Sequence, residues 1–119
     1  MKDNIILNKS KALSLRIIRM YKYLCEEKKE FVLSKQVLRS GTSIGANIRE
    51  ANRSQSKKDF IAKLNISLKE ADETMYWLEL LHESEFLDDD SFNSIYTDTE
   101  ELVKLLVSII KSTKSNLNS

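Results

Sequence analysis

The chain has no proline, two glycines and a single cysteine, Cys25. Without proline, nothing in the covalent backbone forces a helix to break. One cysteine excludes an internal disulfide and a multi-cysteine metal site. Cys25 falls on a helically spaced apolar stripe, which marks it as a small buried hydrophobe rather than a nucleophile. Strand-like alternation and internal repeats are also missing. No run is long enough to span a bilayer, and Met1 to Leu7 hold no apolar stretch of signal-peptide length. A cytoplasmic protein with no membrane contact is therefore expected. What remains is a chain of 119 residues, 41% apolar and 31% charged, which has the profile of one soluble helical domain with a real core.

Apolar residues at three- and four-residue steps place four helices within a single domain covering residues 1–119. The first is expected over residues 9–29, on Leu13, Ile17, Met20, Tyr21 and Leu24, with Lys28 and Lys29 suiting its negative end. The second is expected over 35–52. Ser34 reads as its N-cap, with Leu33 and Leu38 as a hydrophobic staple. The third is expected over 57–83. It opens on Ser56 and Asp59 at capping-box spacing and carries the stripe Phe60, Leu64, Leu68, Ala71, Met75, Leu78, Leu81. Asp88, Asp89 and Asp90 favour the start of the fourth, over 89–113, whose stripe includes Ile95, Leu102, Leu106 and Ile110. Residues 115–119 should fray. Short links between four helices predict an all-α, antiparallel, up-down-up-down four-helix bundle.

Both glycines stand in one stretch, Arg39 to Asn52, inside the second helix. Each costs about 1 kcal/mol against alanine in a helix. Such residues persist where a neighbouring backbone comes close or the helix bends. Gly41, Gly45 and Ala46 thus form a side-chain-poor patch for helix close-packing. A plain loop is the alternative, but Val37, Gly41, Ile44, Ile48 and Ala51 keep a helical stripe across the site. Within the same stretch, Asn47 and Glu50 lie about one turn apart. A role facing a ligand or partner is one reading; the favoured one is structural, with Asn47 bonding a neighbouring helix and Glu50 pairing with a cation.

Charge is unevenly spread. Residues 1–27 hold six Lys/Arg against three Asp/Glu, residues 28–63 nine against three, and residues 64–119 four against twelve. Such a division suits nucleic acid, head-to-tail association, or simply solvated faces. Arg49, Arg53, Lys57 and Lys58, with Arg39 and Lys35, are the candidate phosphate-contacting residues. No aromatics are interleaved among them, so base reading is not expected. The third helix is apolar on more than one face. Tyr76 and Trp77 exceed what one small bundle buries and read as an oligomer interface.

Catalytic arrangements are absent. Glu79-Leu80-Leu81-His82 has the Glu-x-x-His spacing of di-iron bundles, but His82 is the only histidine and such a site needs two copies. There is no nucleophile elbow, and Gly41-x-x-x-Gly45 lacks the Lys-Ser/Thr of a phosphate loop. The expectation is a non-enzyme with no cofactor and no metal.

Gln36-Val37-Leu38-Arg39-Ser40, then Ser43-Ile44-Gly45-Ala46-Asn47-Ile48-Arg49-Glu50, then Ser56 to Phe60 and Leu64 to Leu81 carry a resemblance. Over residues 10–112 the chain resembles the bacterial 23S rRNA intervening-sequence proteins. Other members carry proline where Gly45 stands and Glu-Gly where Glu50-Ala51 stands, which fits a bend at 45. The resemblance implies a homopentameric ring of bundles. It also implies kinship with the accessory protein of diversity-generating retroelements, which binds nucleic acid and a reverse transcriptase. Two functional expectations follow. One is an RNA-associated oligomer holding phosphates on a basic rim, and the other is an oligomeric scaffold docking a protein partner.

Overall fold

The structure, a computed structural model, describes residues 5–118. Among them are four α-helices and no strand: α1 Ile5–Glu26, α2 Leu33–Asn52, α3 Lys57–Glu83 and α4 Asp89–Asn118. At a rise of 1.5 Å per residue, α3 is about 40 Å long. The molecule measures 51 × 21 × 20 Å, so the helices can only lie along its long axis. Contacts fix their directions. Ser40 meets Thr74, Ile44 meets Ser67, and Glu50 meets Lys63. Residue numbers thus fall along α3 as they rise along α2, so the pair is antiparallel. Glu79 with Tyr96 and His82 with Asp89 show the same for α3 and α4. Arg16 with Asp98 and Lys9 with Glu101 show it for α1 and α4. Each helix packs on its sequence neighbours, and the α1–α4 seam closing the ring is the slightest of the four.

The core is aliphatic. Leu13, Ile17, Leu24, Ile44, Ile48, Leu64, Leu78, Leu102 and Leu106 are among its buried members. Four of the expected α3 positions (Leu64, Ala71, Leu78, Leu81) are buried, while Leu68 and Met75 are half-buried. Phe60 stays half-buried as well, because Ile61 faces inward at that turn. The remaining inward positions of α3 are hydroxyls. Ser67 Oγ donates to Ile44 O at 2.8 Å. The Thr74 and Ser40 hydroxyls lie 2.9 Å apart, and Thr74 Oγ1 also reaches Glu70 O at 2.8 Å. These buried polar groups have partners, as a low-dielectric interior requires, and they tie α2 to α3.

The helix ends depart from expectation in ways the hydrogen bonds explain. Ser34 is not the N-cap of α2, since its hydroxyl donates to Glu30 O at 2.8 Å instead of accepting. The Glu30 carboxylate does that work, taking the N–H groups of Val32, Leu33 and Ser34 at 3.2, 2.9 and 2.7 Å. Helix α2 consequently begins at Leu33. Helix α1 starts at Ile5 and stops at Glu26, so Lys28 and Lys29 lie beyond it. Lys29 takes a left-handed φ of 54° and Glu30 N–H bonds back to Leu24 O at 2.9 Å. Glu85, with φ 68°, does the same after α3. Such caps usually use glycine, and this chain has none to spare. Ser56 does cap α3, its hydroxyl accepting from Asp59 N–H at 3.0 Å. Helix α4 runs on through Asn118, where fraying was expected, since nothing in that polar segment breaks a helix. Cys25 is half-buried, with its sulfur 3.7 Å from Ser34 Oγ.

Helix α2 is uninterrupted α-helix through both glycines, and neither has a positive φ. The two differ in what surrounds them. A Cβ at Gly41 would stand 2.9–3.0 Å from three side-chain carbons of Ile17, whereas one at Gly45 would lie 3.4 Å from Ser10 O, Ser10 Oγ and Ser14 Oγ. Ile17 is fully buried and stiff at χ1, so it cannot step aside cheaply. Gly41→Leu is therefore expected to destabilise by about 3 kcal/mol through overpacking. Gly45→Ala should leave stability unchanged or raise it by up to about 1 kcal/mol. Thermal melts followed by circular dichroism check both. An unchanged midpoint for Gly41→Leu would mean that the α1–α2 seam has room.

Candidate nucleic-acid interface

Antiparallel packing gathers the start of α1, the end of α2, the start of α3 and the end of α4 at one end of the bundle. That end carries Lys11, Arg49, Arg53, Lys57, Lys58, Lys111 and Lys114. The opposite end carries Glu26, Glu27, Glu83, Glu85, Asp88, Asp89 and Asp90, with Lys28, Lys29 and Lys35 among them. A charge division along the sequence has become one along the long axis.

Of the six cations nominated from the sequence, four come together. Arg49, Arg53, Lys57 and Lys58 surround the α2–α3 link, are exposed, and form no ion pair among the described residues. Glu50 and Asp59 are the acids beside them. Lys63 Nζ holds Glu50 at 3.2 Å. Lys35 lies at the far end of α2. Arg39, midway, is engaged by Glu70 at 3.2 Å and by Glu73. Burial pulls the Glu73 carboxyl up, but hydrogen bonds from Trp77 and Arg39 and the guanidinium charge outweigh it and hold it below its ordinary value. Arg39 is thus structural. Lys11 stands beside Arg49 and Arg53 only in the folded chain, where α1 lies along α2.

Lys11 belongs to an open groove of about 550 Å³ between α1 and α2. Leu7, Asn8, Ser10, Lys11 and Ser14 form one wall, and Gly45, Ala46, Arg49, Asn52 and Arg53 the other. The expected close-packing patch is therefore split among three settings. Gly41 is buried against Ile17, Gly45 is half-buried, and Ala46 is exposed in the groove. Asn47 does not bond a neighbouring helix. Its Nδ2 donates to Ser43 O of its own helix at 2.8 Å.

On α3, Tyr76 is 54% exposed and Ile66 44%. The Tyr76 ring lies 5.3 Å from that of Trp77. Trp77 itself is half-buried against the chain's own core, and its Nε1–H donates to Glu73 at 3.2 Å. Among the described residues, no three His, Cys, Asp or Glu side chains converge as a metal site would require. Glu79 accepts instead from Tyr96 Oη at 2.7 Å, and His82 Nε2 lies 2.7 Å from Asp89 Oδ1 with its ring stacked on Phe92. No helix of the described residues is long and apolar enough to cross a membrane.

This four-helix architecture and the Arg39–Asn52 stretch define a class of small all-α proteins. The chain belongs to the 23S rRNA-intervening sequence protein family, whose model matches residues 2–108. A solved structure similar to it is a protein of unknown function of the S23 ribosomal protein family from Bacteroides thetaiotaomicron. The two are 59% identical with a TM-score of 0.91, over 93% of this chain and 99% of that one. No curated protein matches the chain.

The Tyr96–Glu79 bond gives a measurable signature of the α3–α4 seam. The hydrogen bond to Glu79, with burial and the Glu79 charge, pushes the Tyr96 phenol up to about 12. A folded-state value above the ordinary one of 10.0 means that the protonated phenol stabilises the fold. That contribution is intact below pH 10 and lost as pH rises towards 12. Ultraviolet titration is expected to show a tyrosine step near pH 12. Glu79→Gln should move that step to lower pH.

Proposed function

We propose that this protein is a non-enzymatic, homo-oligomeric accessory protein of the cytoplasm that holds nucleic acid through its phosphates. The observation carrying this reading is the gathering of Arg49, Arg53, Lys57 and Lys58, without ion-pair partners, around one link. Cations so placed neutralise phosphates and release counterions, whatever the sequence bound. The absence of aromatics among them leaves no stacking platform, so bases go unread. The family's name supports RNA ahead of DNA. Resemblance to the family supports a homopentameric ring, which would set five such ends into one basic rim, and the exposed Tyr76 and Ile66 offer apolar surface for the contact between subunits. No cofactor enters this reading.

A second reading, an oligomeric scaffold docking a protein partner, is favoured by Phe31 and Val32, which are 52% and 71% exposed beside the acidic end. Filter binding with structured RNA across a salt series separates the two. The nucleic-acid reading expects log Kd to rise linearly with log salt, with little difference among sequences. Replacing Arg53, Lys57 and Lys58 together by glutamine should weaken binding and flatten that slope. If wild-type protein binds no RNA or DNA at low salt, the scaffold is the better account. Light scattering at micromolar protein is expected to give the mass of an oligomer, reduced in Tyr76→Ala, and a monomer's mass in wild type would remove the rim.

A further inference from the structure

Resting on the nucleic-acid reading, we infer that the α1–α2 groove seats a ribose-phosphate unit of RNA and discriminates it from deoxyribose through the 2′-hydroxyl. Its rim supplies Lys11, Arg49 and Arg53, none of which has an ion-pair partner among the described residues. Its floor is unlike its rim. Ser10 Oγ donates to Leu7 O at 3.1 Å and Ser14 Oγ to Ser10 O at 3.0 Å. Their protons are thus committed to α1, and each hydroxyl has acceptor lone pairs left for the groove. Asn52 Oδ1, in the other wall, is buried without a hydrogen-bond donor among the described residues.

The groove therefore combines cations with surplus acceptors. A ligand complementary to both carries a phosphate and, close to it, a free O–H or N–H. Ribose meets this, since its 2′-hydroxyl adjoins the carbon bearing the 3′-phosphate and can donate. Deoxyribose lacks that group, which is how proteins tell RNA from DNA at a given site. Gly45 and Ala46 keep the groove open by having almost no side chain, and no aromatic residue lines it. The seat is accordingly for backbone, not base.

The test is fluorescence anisotropy on the full chain with ribo, deoxyribo and 2′-O-methyl oligomers of one sequence. Wild type is expected to bind the ribo strand about fivefold more tightly than the other two, the effect of one net hydrogen bond. Ala46→Leu fills the groove from an exposed helical position, and Ser14→Ala removes an acceptor. Both should bring the ribo strand down to the deoxyribo level at an unchanged melting temperature. Equal, salt-sensitive binding of all three strands by wild type overturns this inference and leaves the phosphate reading standing. A ribo preference that survives both variants also overturns it, by placing discrimination elsewhere. No binding of any strand at low salt overturns the reading beneath it.

Discussion

Ile17 fills the space where residue 41 has no side chain, and the course of α1 over α2 depends on that contact. Three of its carbons lie where a Cβ at position 41 would press, so the two helices approach as closely there as packed carbon allows. One turn further along α2 the same seam changes character. Gly45 faces Ser10 and Ser14, which are small and polar, and no large side chain fills the gap. Between helices whose spacing is set at Ile17, small residues on both sides leave a furrow. The tight contact and the open groove are consequences of one geometry: Gly41 admits the Ile17 side chain, and Gly45 meets the Ser10 backbone and the two serine hydroxyls at ordinary contact distance, beside the exposed Ala46.

The same antiparallel course sorts the charges. Along the flanks, cations and acids meet across seams: Arg16 with Asp98, Lys9 with Glu101, Arg39 with Glu70 and Glu73, Lys63 with Glu50. Exposed pairs of this kind contribute only about 0–1 kcal/mol each. They do little for stability, but they leave the flanks close to neutral. At the ends such matching is sparse: His82 meets Asp89 at one, and Arg49, Arg53, Lys57 and Lys58 form no ion pair among the described residues at the other. Net charge near zero over the whole chain therefore conceals a molecule with a positive end and a negative end.

The fold was largely legible because helical periodicity reports burial directly. The stripes through Leu13 and Ile17, Val37 to Ala51, and Ile95 to Ile110 all face the core. Legibility failed where a residue's partner was not local. Glu30 reads as a linker charge, yet its carboxylate closes three backbone N–H groups of α2, and Ser34, with a better cap residue's chemistry, donates instead. Ser67 and Thr74 break the apolar pattern of α3, and only Ile44 O and Ser40 Oγ across the seam explain why they sit inside. The candidate site divided in the same way. Arg49, Arg53, Lys57 and Lys58 were readable because they flank one link. Lys11 was not, since only the fold sets α1 beside them; Lys35 lies at the other end of α2, and the carboxylates that engage Arg39 come from α3, distant in the sequence.

Four like charges around one short link repel one another, and in water two unit charges about 4 Å apart cost on the order of 1 kcal/mol. The fold tolerates this because the side chains are long, exposed and screened by salt. Only the assembled helices add Lys11, Lys111 and Lys114 to the same end, since these are distant from the link along the chain. Any ligand bound by the folded state alone stabilises that state. A ligand that neutralised charge at that end would in the same way relieve the repulsion there. The acidic end carries the converse strain in Asp88, Asp89 and Asp90, but there the fold answers it internally. The first turn of α4 favours negative charge, and Asp88 accepts the Ser91 N–H at 2.7 Å, which holds its carboxyl below the ordinary value. Arg49 at the close of α2 and the aspartates at the start of α4 thus stand where the helix dipoles favour them, whereas Lys57 and Lys58 open α3 where its dipole opposes them.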